Sequence, residues 1–146
     1  MEILNRKARY EYEILEDYVA GIVLQGSEVK SIRLGNVNLG EAYCYVKDGE
    51  IWMINSHIST YDSDKFTNHD PLRIRKLLLN KKEIRKINEK LQIQGITLIP
   101  LKMFINNKGL IKVLIGVCKG KHNYDKRNDI KDKDNKRELD RIMKLY

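Results

Sequence analysis

Basic residues cluster at three places in this sequence, and dense sets of Lys and Arg are suited to binding phosphate groups. The first cluster, residues 5–9, reads Asn-Arg-Lys-Ala-Arg. The second, residues 73–79, reads Arg-Ile-Arg-Lys-Leu-Leu-Leu, and its adjacent cations repel one another unless an anion neutralises them. The third, residues 120–127, carries Tyr124 among its cations. Aromatic rings stack on bases while cations bind phosphates, so this mixture is typical of single-stranded RNA recognition.

The first two clusters also have ordinary structural interpretations. Residues 5–9 fit a solvated N-terminal arm as well as they fit a phosphate contact. Residues 73–76 fit the charged start of a helix. The apolar residues 77–79 must bury at least partly, however, and would hold those cations beside the core. Cations on a rigid element grip an RNA backbone better than cations on a mobile arm.

The C-terminal segment, residues 119–146, leaves two interpretations open. A helix starting near Asp129 would place Lys133, Arg137, Arg141 and Lys144 on one face, at spacings of four, four and three. Acid-before-base pairs at i,i+4 contribute only about 0.2–0.5 kcal/mol each, which is too little to hold an isolated helix this short. The segment is therefore either a helix induced by RNA or a disordered, solubilising tail.

Side chains that could support catalysis are sparse. His57, His69 and His122 are too far apart in sequence to form a ligand pair, and none belongs to a known metal motif. Cys44 and Cys118 lie in or at the end of apolar runs, where small core residues are expected. No glycine-rich phosphate loop is present. The sequence predicts a protein that is not an enzyme and needs no metal or cofactor.

Composition points to a polyanionic partner. The chain has 146 residues, enough for one domain with a tail. Its 28 Lys and Arg against 20 Asp and Glu give a net charge of +8, and residues 119–146 carry half of it. That balance favours nucleic acid or an anionic membrane surface. No run of 18 apolar residues and no secretory signal is visible, so we expect a cytoplasmic protein without a membrane span.

The elements that would position these clusters are mostly strands. Residues 8–24 are rich in β-branched and aromatic side chains and predict a strand with a bend at Gly21. Asp48 and Gly49 between two apolar runs predict a hairpin within residues 38–59. Residues 97–105 and 110–117 predict a second hairpin.

Two helices are predicted among these strands. The first covers residues 28–34, with Ser27 as its N-cap and Gly35 just past its end. The second lies within residues 77–93, where Asn80 and Glu83 match a capping box. Five or six antiparallel strands with inserted helices predict a mainly β fold. The expected form is a small closed antiparallel barrel of the oligonucleotide-binding type, with flanking helices and a basic C-terminal tail.

Five ordered motifs resemble the bacterial SsrA-binding protein (small protein B) family. They are residues 5–9, Ala-Gly-Ile at 20–22, Gly-Ser-Glu-Val-Lys-Ser-Ile-Arg at 26–33, residues 73–79 and Asp-Lys-Arg at 125–127. The resemblance runs from about Asn5 to Lys144. It implies an RNA-binding barrel over residues 1–118 and a tail over 119–146 that is disordered when free and helical on the ribosome.

The resemblance also implies a function in trans-translation. Family members bind the tRNA-like domain of transfer-messenger RNA, replace its missing anticodon arm and deliver the RNA to stalled ribosomes. The tail would probe the decoding centre of the small-subunit RNA and the empty mRNA channel. Elongation factor Tu would be met only indirectly, through the aminoacylated RNA. A monomer with no membrane partner is expected.

Two groups of site residues follow from the motifs and the basic clusters. Those expected to bind the RNA are Asn5, Lys7, Arg9, Glu28, Lys30, Arg33, Arg73, Arg75, Lys76, Leu78, Lys119 and Lys121. Those expected at the ribosomal decoding site and mRNA channel are Tyr124, Asp125, Lys126, Arg127, Lys133, Arg137, Arg141 and Lys144. Glu28 is expected to hydrogen-bond base or ribose donors. The alternatives are a generic single-strand-binding barrel or a ribosomal structural protein, and thirdly an RNA-processing enzyme.

Overall fold

The computed structural model describes residues 1–61 and 68–121. The predictions for the tail beyond Lys121, from Tyr124 to the basic stripe ending at Lys144, lie outside the described residues. Within those residues the chain forms nine strands and three helices. The strands are β1 (Glu2–Leu4), β2 (Tyr12–Ile22), β3 (Val37–Asn38), β4 (Tyr43–Lys47), β5 (Glu50–Ile54), β6 (His57–Ile58), β7 (Arg75–Leu78), β8 (Ile96–Ile105) and β9 (Ile111–Gly120). The helices are α1 (Arg6–Glu11), α2 (Gly26–Arg33) and α3 (Lys81–Leu91).

Seven strands form one antiparallel sheet that closes on itself. Their order is β1-β8-β4-β5-β7-β2-β9, and β9 also pairs with β8. Six strands therefore complete a ring. The seventh strand, β1, pairs with residues 102–104 of β8. β3 and β6 form a separate two-stranded sheet. The prediction of a mainly β, ring-like antiparallel fold with flanking helices is confirmed.

The hydrophobic core fills the ring. Alternate residues of the strands point inward, as the period-two geometry of a strand requires. Ile51 and Met53 on β5 and Val113 and Ile115 on β9 are fully buried. Helix α3 lays its Ile87 on the same core. The helices are thus docked on a rigid β framework.

Three local sequence signals fold as predicted. Asp48 and Gly49 adopt φ values of 54° and 75°, so the β4–β5 hairpin has a turn that needs positive φ at both positions. Asn80 caps α3, accepting from the Glu83 N–H at 2.8 Å, and the Glu83 carboxylate accepts from the Asn80 N–H at 3.1 Å. Gly35, with φ of 80°, follows α2.

Two segments differ in type from the prediction. The strand expected from residue 8 begins only at Tyr12, because Asn5 initiates the short helix α1. Its side-chain Oδ1 accepts from the Ala8 N–H at 3.1 Å. The cluster that could have begun a helix forms strand β7, which is paired on both sides, with β2 and with β5.

Two boundaries also differ. α2 begins at Gly26 with Gln25 as its N-cap residue, so Ser27 lies inside the helix. β9 continues to Gly120, two residues past the boundary expected between body and tail. Lys119 is therefore part of a strand that pairs with β2 and β8.

Candidate nucleic-acid interface

The carboxylate of Glu28 organises the junction between α2 and β7. Glu28 is fully buried. Its Oε1 accepts from the Gln25 backbone N–H at 2.7 Å and from Arg73 Nη2 at 2.5 Å. Its Oε2 accepts from Arg73 Nε at 3.0 Å and from Arg75 Nε at 2.8 Å. One carboxylate therefore joins the first turn of α2 to two arginines at the entrance of β7.

Arg75 is also fully buried, and each of its three nitrogens has partners. Nε donates to Glu28, and Nη1 donates to the Ser56 carbonyl at 2.8 Å and to Ser56 Oγ at 3.0 Å. Nη2 donates to the carbonyls of Asp70 at 3.3 Å and Pro71 at 3.1 Å. A guanidinium has five N–H donors, so all five are used inside the protein.

The charges of this pair stabilise each other. Burial raises the pKa of Glu28, but hydrogen bonds from Arg73, the Gln25 N–H and Arg75 outweigh it, and the net pKa lies below the usual 4.5. Burial lowers the pKa of Arg75, and the contact with Glu28 opposes that effect. Both groups are ionised at neutral pH, as a buried pair with complete hydrogen bonding can be.

Two further polar contacts fasten α2 to the following loops. His69 Nε2 lies 2.8 Å from the Ile58 carbonyl, which can only accept, so Nε2 carries a proton and donates it. Its Nδ1 forms a hydrogen bond with Ser27 Oγ at 2.7 Å. Ser31 Oγ donates to the Ser59 carbonyl at 2.6 Å. These bonds fix the rotation of α2 and hence the side chains it presents outward.

The outward side of this junction carries cations. Lys30 and Arg33 are exposed on α2, and Lys30 Nζ lies 5.3 Å above the ring of Tyr61. Arg73 keeps 27% of its side chain exposed while its inner edge binds Glu28. Leu78, 49% exposed on β7, lines the same groove as Arg33. We call Lys30, Arg33, Arg73 and Leu78 the α2 patch.

A second set of cations surrounds the junction of α1 and β2. Lys7 and Arg9 are exposed on α1, and Lys119 and Lys121 are exposed at the end of β9. The Lys121 N–H donates to the Glu11 carbonyl at 2.8 Å, which holds the end of the described chain against α1. We call Lys7, Arg9, Lys119 and Lys121 the α1 patch.

One carboxylate already neutralises part of the α1 patch. Lys7 Nζ lies 2.6 Å from Glu41 Oε2, with both side chains largely exposed. The hydrogen bond that Lys7 donates to Glu41, together with the charge of Glu41, raises the pKa of Lys7. An exposed pair of this kind adds little stability and can be exchanged for another anion.

The two patches lie at opposite ends of β2. The α1 patch adjoins Tyr12, and the α2 patch adjoins Gly21, whose partner across the sheet is Leu78. Ten residue steps of strand separate Tyr12 from Ile22, which corresponds to about 30 Å. The chain leaves the described body at the α1 patch.

Three of the twelve predicted RNA-binding residues are buried and have a different place in the structure. Glu28 and Arg75 bind each other in the interior, so Glu28 is not available in this arrangement to accept the expected hydrogen bond from RNA. Asn5 is also buried. Its Nδ2 donates to the carbonyls of Leu39 at 3.0 Å and Pro100 at 2.8 Å, which anchors α1.

The other nine predicted residues are at least partly exposed. Eight of them make up the two patches. The ninth, Lys76, lies on β7 with its Nζ 3.6 Å from Glu50 Oε2. Sequence reasoning missed Lys112, which lies near the α2 patch because Leu114, two residues further along β9, pairs with Val19 of β2. Lys112 was not predicted because it lies in an apolar run rather than in a basic cluster. A single lysine within an apolar strand could, however, have indicated a position that faces outward.

No helix among the described residues is long and apolar enough to cross a membrane. Over residues 1–61 and 68–121, no three His, Cys, Asp or Glu side chains come together as a metal site would require. Burial raises the pKa of the Cys44 thiol, and it raises that of Cys118 to about 11.

Comparison with known proteins gives consistent matches. The family model described as SmpB protein matches residues 2–145. An SsrA-binding protein of Ligilactobacillus salivarius is 55% identical over 142 residues, covering 97% of this chain and 91% of the relative. One of Flavobacterium johnsoniae is 51% identical over 146 residues, covering 100% and 97%. A solved structure described as "tmRNA-SmpB: a journey to the center of the bacterial ribosome" shares 42% identity with a TM-score of 0.73, covering 88% of this chain and 94% of that one.

Proposed function

Because this chain belongs to the SmpB family, whose curated relatives are SsrA-binding proteins, we propose that it binds transfer-messenger RNA and acts in trans-translation. The observation that carries the proposal is the α2 patch. Lys30 and Arg33 stand on a helix whose position is fixed by buried hydrogen bonds, and Arg73 is held against that helix by Glu28. Leu78, an exposed leucine on β7, completes the patch. A rigid surface that combines cations with an exposed apolar side chain is suited to binding a folded RNA.

In this proposal the two patches bind the RNA, and the tail contacts the ribosome. The α2 patch, with Lys76, contacts the tRNA-like domain, and the α1 patch contacts RNA about 30 Å away. Lys121, the last described residue before the tail, lies in the α1 patch. Tyr124, Asp125, Lys126 and Arg127, with the stripe Lys133, Arg137, Arg141 and Lys144, act at the decoding site and mRNA channel of a stalled ribosome.

In this proposal the three buried residues are positioning residues. Glu28 holds the inner edge of Arg73 and the first turn of α2, so it orients the α2 patch without touching RNA. Arg75 ties Glu28 to β7 and Ser56. Asn5 anchors α1 and thereby Lys7 and Arg9.

The same proposal places the protein in the cytoplasm as a monomer that replaces the anticodon arm of the RNA. It meets elongation factor Tu only through the aminoacylated RNA. RNA binding, rather than catalysis, is the activity that its family and its exposed cations support.

Truncation tests the division between body and tail. Because β9 continues to Gly120 and the Lys121 N–H bonds α1, the cut belongs after Lys121. We expect the shortened chain to bind transfer-messenger RNA within about twofold of the full chain, and peptide tagging on stalled ribosomes to be lost. Collapse of RNA affinity on truncation would contradict the proposal.

A second experiment tests the surface and its selectivity. Changing Lys30 and Arg33 to Gln removes two cations, so the slope of log affinity against log salt should fall by about 1.5. Lys47→Gln, which removes an exposed cation outside both patches, is the control. Competition with tRNA and homopolymer RNA at fixed salt shows whether the chain prefers its RNA. Equal competition by all RNAs would indicate a generic single-strand-binding protein instead.

A further inference from the structure

A groove of about 430 Å³ opens beside the α2 patch, between β2, α2, β7 and the β8–β9 turn. Apolar side chains make up most of its lining, and two cations, Arg33 and Lys112, line it as well. The apolar side chains are Ile22, Leu24, Val29, Leu78, Leu110 and Ile111. Over residues 1–61 and 68–121, no carboxylate lines the groove. Neither cation forms an ion pair within the residues that the structure describes.

Two leucines make the groove conspicuous on a cationic surface. Leu78 is 49% exposed and Leu110 is 53% exposed. Both belong to well-held elements rather than to mobile chain. Leu78 is on β7, and Leu110 ends a turn in which Asn106 Oδ1 accepts from the backbone N–H groups of Lys108 at 3.0 Å and Leu110 at 2.9 Å. The groove is therefore preformed.

Gly21 leaves space at one wall of the groove because it has no side chain. A Cβ atom at this position would lie 3.3 Å from Leu78 Cβ and 3.7 Å from Lys112 Nζ. The missing side chain lets the β2 backbone, Leu78 and Lys112 meet at the wall. Any larger residue at position 21 would project among these groups and reduce the space.

We propose that this groove takes one unpaired nucleobase of the bound RNA, with Arg33 and Lys112 contacting the phosphates on either side. The inference rests on the proposed RNA-binding function and specifies the chemistry of the contact. A base has apolar faces and lies between two charged phosphates, and the groove likewise combines apolar side chains with two cations. Bases within a duplex are stacked and cannot enter, so the occupant comes from a loop or bulge. Apart from the two cations, no described side chain of the lining can form a hydrogen bond, so the groove accepts any base.

Two variants of the full chain separate the floor from the flanks. Leu110→Ala should weaken binding to transfer-messenger RNA about fivefold, because a base that covers the exposed half of a leucine gains about half the benefit of full burial. The salt slope should stay unchanged. Lys112→Gln should reduce that slope by about 0.7–0.9. Leu34→Ala and Lys108→Gln are matched controls, since both side chains are exposed and lie outside the groove.

An abasic scan then identifies the nucleotide. Each unpaired nucleotide of the tRNA-like domain is replaced in turn by an abasic one. We expect one abasic position to weaken binding of the unaltered chain about fivefold and to abolish the further effect of Leu110→Ala. A different base at that position should be tolerated.

Three results would be informative in different ways. If Leu110→Ala is equally harmful on every abasic RNA, no base occupies the groove. If Leu110→Ala spares RNA binding but weakens binding to ribosomes, the occupant is a protein side chain, and the inference is again wrong. If the unaltered chain does not prefer transfer-messenger RNA at all, the proposed function itself fails, independently of the groove.

Discussion

Removing the charge of Glu28 should strongly destabilise the fold, although the substitution Glu28→Gln changes hardly any volume. The glutamine oxygen can replace Oε1 and keep the bonds from the Gln25 N–H and Arg73 Nη2. Its NH₂ group must then replace Oε2. There it faces the Nε–H groups of Arg73 and Arg75, which are themselves donors.

The magnitude follows from those two lost bonds. Hydrogen bonds to charged groups contribute about 1.5–3 kcal/mol each. Removing one partner of a buried ion pair costs about 3–5 kcal/mol, because the other charge stays buried without compensation. Arg75 is fully buried, so water cannot replace the carboxylate. We therefore expect a loss of about 3–5 kcal/mol in the free energy of unfolding, measured by urea denaturation.

Glu41→Gln is the matched control. It breaks the ion pair with Lys7, whose side chains are 46% and 76% exposed, and should cost less than about 1 kcal/mol. A cost for Glu28→Gln as small as that of the control would refute the reasoning. So would an unfolding curve of the variant with an unchanged midpoint.

The same carboxylate predicts the direction of acid sensitivity. Because the net pKa of Glu28 in the folded protein lies below 4.5, its ionised form stabilises the fold above about pH 4.5. That contribution disappears as the pH falls through the folded pKa. The stability difference between the unaltered chain and Glu28→Gln should therefore be constant near neutral pH and shrink below pH 4.5. A difference that grows with acid would contradict the assigned sign.

Two further predictions concern single side chains. Asn80→Ala removes the N-cap of α3, in which Oδ1 accepts from the Glu83 N–H at 2.8 Å, and should cost about 1 kcal/mol in urea denaturation, whereas no loss would show that the capping box is dispensable. Burial raises the pKa of Cys118 to about 11, so thiol labelling at pH 8 should be at least about 100-fold slower in the folded protein than in urea, and equal rates would disprove the burial.

The elements that sequence reasoning predicted correctly have local causes. The β4–β5 turn needs two residues that tolerate positive φ, and Asp48 followed by Gly49 supplies them. The start of α3 needs a side-chain acceptor and a carboxylate three residues later, which Asn80 and Glu83 supply. Such signals lie within four residues, so the sequence displays them without knowledge of the fold.

Helix α1 could not be predicted in this way, because its cause is distant in sequence. Asn5 caps the helix while its Nδ2 bonds to Leu39 and Pro100, 34 and 95 residues away. Six residues are too few to form a stable helix by propensity alone. Tertiary contacts therefore override the strand propensity of Tyr10, which lies inside α1.

The burial of Arg75 had a visible but misread signal. Arg75 and Leu77 are two residues apart, so a strand places both on the same face, and Leu77 is fully buried. In a helix, residues two apart do not share a face. Interpreting the segment as the start of a helix therefore hid the relation to Leu77, and Arg75 was grouped with the exposed cations. The burial of Glu28 had no local signal, because its partners come 45 and 47 residues later.

The buried pair gives the α2 patch its order more than it gives the fold its stability. Two well-packed apolar side chains of similar volume in place of Glu28 and Arg75 would stabilise the junction as well or better. They could not, however, fix Arg73, whose Nε and Nη2 are held by Glu28 and the Val23 carbonyl while 27% of its side chain remains exposed. An arginine anchored along one edge loses little conformational entropy when its free edge binds a phosphate. Glu28, which the sequence analysis predicted to contact RNA, lies inside the protein instead. From there it preorganises the Arg73 cation at the surface.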